Sequence, residues 1–193
     1  MDILKSVSFG NRFFEIAVNL REAILINGML TNSEIWYSLR KTEIAELEEV
    51  DKLLLRRVIE APTSACIESL FLELGLIPLN IIIKARRINY LHYLVTLDKD
   101  EMLYKTFLSQ WKYPVKDDWT EEVKSNLEEL EINLNLEEIG KKSKNSFKRL
   151  VKIKTKGYAL NQLLETKEKH KKMENLQYTE LNCRDILKIV TFQ

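Results

Sequence analysis

From Phe13 to Leu163 apolar side chains return every three or four residues with polar ones between them, and that period makes the α-helix the repeating element. A strand would need alternation at period two, and no convincing pair of such runs occurs. Only 5 Gly and 3 Pro stand among 193 residues, too little turn material for many short strands. The pattern therefore predicts an all-α fold: an irregular multi-helix bundle followed by a long basic C-terminal helical extension.

Stop signals separate the helices. Phe13, Ile16, Ala17, Leu20 and Ile24 share one face, predicting an amphipathic helix from Asn11 to about Met29. Thr42 is the expected N-cap of the next, which carries Ile44, Leu47, Val50, Leu54 and Val58 and must end before Pro62. A short helix from Cys66 stops at Gly75. Pro78 stands where a first helical residue belongs, and the stretch to Leu97 is apolar on most of its circumference, so it is read as the central buried helix. Asp98 with Glu101 has the form of a capping box for a helix ending before Pro114, and Thr120 is expected to cap another. Asn135 with Glu138 marks a short turn of helix. A last long helix runs from Ser143 to about Met173, interrupted only by Gly157.

The formal net charge is +1, but the charge is unevenly spread. Residues 101–140 hold 4 basic and 10 acidic side chains, whereas 141–176 hold 12 Lys and Arg against 3 Glu. That contrast suggests a weak boundary near Gly140, with a bundle at 1–140 and a basic helical linker at 141–193, cut short at its C-terminus. Within the basic segment Phe147, Leu150 and Val151 form a narrow apolar seam that can dock while the cations stay wet. Lys141, Lys142, Lys144, Lys148, Arg149, Lys152 and Lys156 are then candidates for nucleic-acid backbone contact. A solvated helix face is the plainer reading of the same residues.

Other chemistry is sparse. Asp117 and Asp118 are a pair of the kind that holds divalent metals in polymerases, but they lead into a helix beginning Glu121-Glu122, where carboxylates meet the N-terminal dipole as caps. His92 lies between Leu91 and Tyr93 on the buried helix and reads as a satisfied core histidine. On that helix Asn80, Lys84 and Arg87 share a face. Lys84 and Arg87 are either a solvated stripe, with Arg86 buried against an acid such as Glu73, or secondary phosphate contacts. Trp36, Trp111 and Trp119 read as core anchors. Cys66 and Cys183 stand 117 positions apart and, with His92 and His170 the only histidines, make no zinc spacing. No metal, cofactor or catalytic residue is expected. No apolar run approaches the roughly 20 residues that span a bilayer, and the N-terminus lacks the form of a secretory signal. An intracellular setting, cytoplasmic or nuclear, is expected.

Five segments in collinear order resemble the region after the polymerase palm in non-LTR, LINE-type retrotransposon reverse transcriptases. They are LTNSEIWYSL (Leu30–Leu39), LEEVDKLLLRRVIEAP (Leu47–Pro62), SLFLELGLIPLNIIIKARRINYLHYL (Ser69–Leu94), DEMLYKTFLSQWKYPVKDDW (Asp100–Trp119) and LLETKEKHKKMENLQY (Leu163–Tyr178). The resemblance implies a thumb and linker that grip template and primer, and a zinc-binding or other C-terminal element often follows in that family. Relatives tend to open the short helix before LELG with Thr-Pro, where this chain has Ala65-Cys66. No palm precedes Met1 and the chain stops at Gln193, so a noncatalytic fragment of a reverse transcriptase is expected, binding RNA or an RNA-DNA duplex through its backbone. The alternative is a helical protein-interaction module, favoured if the basic tract pairs with Glu121, Glu122, Glu128, Glu129 and Glu131. An unrecognised enzyme is a third reading, without a convergent acid, base and nucleophile to support it. Nothing in these patterns sets an oligomeric state.

Overall fold

The computed structural model describes residues 15–16, 18–36, 40–62 and 64–169, without the side chains of Lys41 and 167–169. Among the described residues the fold is all-α, with no strand. Its elements are α1 (Glu22–Met29, wound as a π-helix), α2 (Lys41–Val58), α3 (Ile67–Glu73), α4 (Leu79–Val95), α5 (Met102–Lys112), α6 (Trp119–Glu129), α7 (Leu136–Lys141) and α8 (Lys144–Lys169). The expected start at Asn11 and end at Met173 lie outside the described residues, as do Cys183 and His170. The chain divides into two compact units.

The first unit comprises the described residues within Met1–Thr31, Ala45–Leu79 and Ala159–Gln193. Its core joins Leu55, Ile67, Leu70, Phe71 and Leu163. The Arg21 guanidinium donates to both Asp51 carboxylate oxygens at 2.7 Å and to the Ile77 carbonyl at 2.7 Å, and stands 5.5 Å from the Phe71 ring centre. This buried pair corrects two expected faces. Ile16, Leu20 and Ile24 are exposed while Leu25, Ile26 and Leu30 are buried, and on α2 the inward residues are Asp51 and Leu55 while Val50 is exposed. A hydropathy stripe cannot anticipate a charged pair turned inward; burying Arg21 and Asp51 together satisfies both and rotates each helix. Thr42 also lies inside α2, one residue after its first. Instead the Arg40 backbone N–H donates to the Glu43 carboxylate at 2.8 Å. Cys66 occupies the N-cap of α3 without a capping hydrogen bond and turns its thiol to Glu68 at 2.8 Å. Burial pushes that thiol above its ordinary pKa, and the Glu68 carboxylate adds to the effect. Gly75, at φ 62°, ends α3 with paired bonds from Gly75 N–H to Leu72 and Leu76 N–H to Phe71, a left-handed turn that favours glycine.

The second unit comprises the described residues within Asn32–Ile44 and Asn80–Tyr158. Its core gathers Ile88, Leu91 and Leu94 of α4, Phe107 of α5, Val123 and Leu127 of α6, Ile139 of α7, and Phe147 and Val151 of α8. Trp111 and Trp119 pack against it, and the Trp119 indole N–H donates to the Glu34 carbonyl at 2.7 Å. Gly140 lets α7 approach the end of α4, since a Cβ there would stand 3.0 Å from Val95 Cγ1.

Its helix ends correct two expected caps, at Asp98 and Thr120, and match two others, at Asp118 and Asn135. Asp98 accepts from the Asp100 N–H at 3.0 Å, forming a turn rather than a box, and α5 starts from Glu101 without a side-chain cap. Thr120 lies within α6, whose N-cap is Asp118. Carboxylates outrank threonine as caps, and the Asp118 carboxylate accepts from Glu121 N–H at 2.9 Å, Thr120 Oγ at 2.6 Å and Val115 N–H at 3.1 Å. At Asn135 and Glu138 the capping box is complete, with reciprocal bonds of 2.9 and 2.8 Å.

Candidate nucleic-acid interface

The first four turns of α8 carry the basic tract. Ser143 Oγ accepts from the Ser146 N–H at 3.3 Å at the helix start. Phe147, Val151 and Thr155, spaced by four, face inward and are buried. Phe147 stacks on the His92 ring at 4.9 Å between centroids, and His92 Nε2–H donates to the Lys142 carbonyl at 2.8 Å. His92 is thus a hydrogen-bonded core histidine that anchors the turn into α8.

With those residues inward, Lys144, Lys148, Arg149 and Lys152 are exposed. Lys144, Lys148 and Lys152 follow at spacings of four, so they line one edge of the helix, with Arg149 beside them. The other candidates are placed differently. Lys141 is exposed and bonded to Glu137 at 2.6 Å one turn earlier. Lys142 is half-buried. Lys154, in the same basic segment though not among the candidates, reaches Glu131 at 3.2 Å. Lys156 is half-buried; burial and then the neighbouring Lys152 charge lower its ammonium pKa.

The two candidates on α4 face an acidic helix. The Lys84 ammonium pairs with Glu129 and lies 5.6 Å from the Tyr158 ring centre. Burial raises the Glu129 pKa, but hydrogen bonds from Lys84, Tyr158 and Ser125 outweigh it and hold the carboxyl below its ordinary value. Arg87 is buried, paired with Glu122 and bonded to the Trp36 carbonyl at 3.1 Å. Neither the solvated stripe nor the phosphate contact expected of Arg87 is therefore correct: its guanidinium is committed to the interior. Arg86, expected to be the buried one, is half-buried and donates to Ser33 Oγ at 3.3 Å.

A cavity of about 120 Å³ beside the basic row was not foreseen. Asn89 and Tyr93 of α4, with Thr96 just past its end, meet Lys144 and Lys148 of α8 there. The available signal was the row Asn89, His92, Tyr93 and Thr96, polar, spaced by three, one and three, and opposite the face of Asn80, Lys84 and Arg87. Among the described residues no group of three or more His, Cys, Asp or Glu is arranged to hold a metal ion, and no helix is long and apolar enough to cross a membrane. No protein-family model matches the chain, and neither a curated protein nor a solved structure matches it.

Proposed function

We propose that the chain is a noncatalytic, thumb-and-linker-like domain of non-LTR reverse transcriptase type that binds the backbone of RNA or an RNA-DNA hybrid. The observation that carries this reading is the row Lys144, Lys148, Arg149 and Lys152, exposed on α8 while Phe147 and Val151 fasten the opposite side into the core. An anchored helix presenting cations at each turn suits a phosphate track: the backbone that carries the charges need not be ordered on binding, and no base-reading geometry is required. Asp118 is occupied as a helix cap, so Asp117 and Asp118 are not assigned metal chemistry, and primer extension with magnesium or manganese is expected to match a blank.

Fluorescence anisotropy with an RNA-DNA hybrid across a salt series tests the proposal. Four phosphates neutralised give a log-log slope of about −3 to −4. A flat salt response, or no binding at low salt, would oppose it. The second reading, a protein-interaction module, is favoured by one observation: Lys154 of the tract pairs with Glu131 of the acidic stretch.

A further inference from the structure

We infer that the cavity between α4 and α8 receives an unpaired nucleobase, so that this surface, while it binds the backbone of either, gains an added contact with single-stranded RNA or DNA that a continuous duplex does not make. The inference rests on the backbone-binding reading above and adds a base to it. Three observations place a base there. Tyr93 is 49% exposed although it sits on α4, the helix that supplies Ile88, Leu91 and Leu94 to the core. Its ring is held from behind by Tyr90, stacked at 5.6 Å and 29°. An aromatic face fixed in this way is a stacking platform that loses little freedom when a base lands on it, and every base has a π-face to offer.

Beside it, Asn89 carries a buried side-chain carbonyl oxygen with no hydrogen-bond partner. A buried acceptor left unmade is costly; this oxygen is closed to solvent, so a rotation of the Asn89 side chain is needed to present it to the amino or imino N–H of a ligand in the cavity. Nucleobases carry such donors on their pairing edges; a phosphate does not. Lys144 and Lys148 line the same cavity and belong to the exposed cationic row. A strand whose phosphates follow that row therefore has a base within reach of Tyr93. In a duplex both faces of each base are already stacked and the pairing edge is used, so the cavity discriminates against paired nucleic acid.

The test is anisotropy with three labelled probes of equal length: oligoadenylate, an abasic ribose-phosphate oligomer and an RNA-DNA hybrid. Wild type is compared with Tyr93→Ala and Tyr93→Phe, circular dichroism confirming that helicity is kept. Wild type should bind oligoadenylate more tightly than the abasic oligomer. Tyr93→Ala should weaken oligoadenylate binding by about 5- to 150-fold, the range a lost base–aromatic stack gives, with the salt slope unchanged. Tyr93→Phe should retain wild-type affinity, and binding of the hybrid should not respond to Tyr93→Ala. Equal affinity of wild type for oligoadenylate and the abasic oligomer overturns the inference while leaving backbone binding standing. An equal loss on the hybrid in Tyr93→Ala overturns it as well. Absence of binding to all three probes overturns both readings together.

Discussion

Replacing Arg87 by Met tests the packing logic of the second unit. The substitution keeps a long apolar stem but removes a guanidinium whose side chain is 1% exposed, leaving the Glu122 carboxylate, 24% exposed, without this cation. It also takes a donor from the Trp36 carbonyl. Breaking a buried pair costs about 3–5 kcal/mol. Because Glu122 keeps some access to water, the lower end applies, about 3 kcal/mol. With urea m-values of about 1–3 kcal/mol/M, the unfolding midpoint should fall by roughly 1–3 M. All three tryptophans, Trp36, Trp111 and Trp119, lie in the second unit, so urea unfolding followed by tryptophan fluorescence reads the unit that holds the pair. A double variant, Arg87→Met with Glu122→Leu, should recover at least half of the loss, because an apolar replacement of a whole buried pair is often neutral. A single-variant cost below about 1 kcal/mol, or no recovery in the double variant, would refute the reasoning. Arg87→Met should also leave the salt slope of nucleic-acid binding unchanged; a loss of about one unit of slope would mean that the side chain reaches a phosphate after all.

Two further outcomes follow from local geometry. Gly157 lies inside α8, and a Cβ there would meet nothing within 4 Å, so Gly157→Ala should stabilise the chain by about 1 kcal/mol in thermal or urea unfolding. At Asp118, burial raises the carboxyl pKa, but bonds from the Thr120 hydroxyl and the Glu121 and Val115 N–H groups outweigh it and hold it below the ordinary value. Because the folded pKa is depressed, the stabilisation is present above the unfolded value of about 3.9 and is lost as pH falls through the folded one. Asp118→Ala should therefore cost about 1 kcal/mol near pH 6, with the difference from wild type shrinking below pH 4.

Much of the helical outline was legible because it is written in local chemistry. Asn135 with Glu138 caps its own backbone, Gly75 takes the left-handed turn, and the Phe147 and Val151 seam docks at the spacing a helix imposes. What hydropathy could not show was which charged residues turn inward. Arg21 with Asp51, and Arg87 with Glu122, are 30 and 35 residues apart in sequence, and only the tertiary pairing makes their burial tolerable. The Arg21–Asp51 pairing goes with inward faces of α1 and α2 shifted by about one position, which is why Ile24 and Val50 were expected inside and are exposed. The start at Arg40 was missed because several polar residues stand within two positions of it and the choice among them depends on the backbone angle of entry, whereas Asp118 caps α6 as a carboxylate there was expected to and only the cap assigned to Thr120 was misplaced. Of the candidate contacts, the exposed row on α8 follows from the docked seam, whereas the Asn89 and Tyr93 cavity depends on α4 and α8 meeting.

The claim that matters most is that α8 works as a phosphate track, and it is tested by changing Lys144, Lys148, Arg149 and Lys152 together to Gln. Glutamine is a comparable helix former, and the buried face of Phe147 and Val151 is untouched, so circular dichroism should be nearly unchanged. Anisotropy with a labelled RNA-DNA hybrid, wild type and variant side by side across a salt series, should then show weaker binding and a log-log slope flatter by about 3, the counterion release of four lost contacts. A variant that stays folded and binds with the wild-type slope would contradict the account and leave the row a solvated helix face.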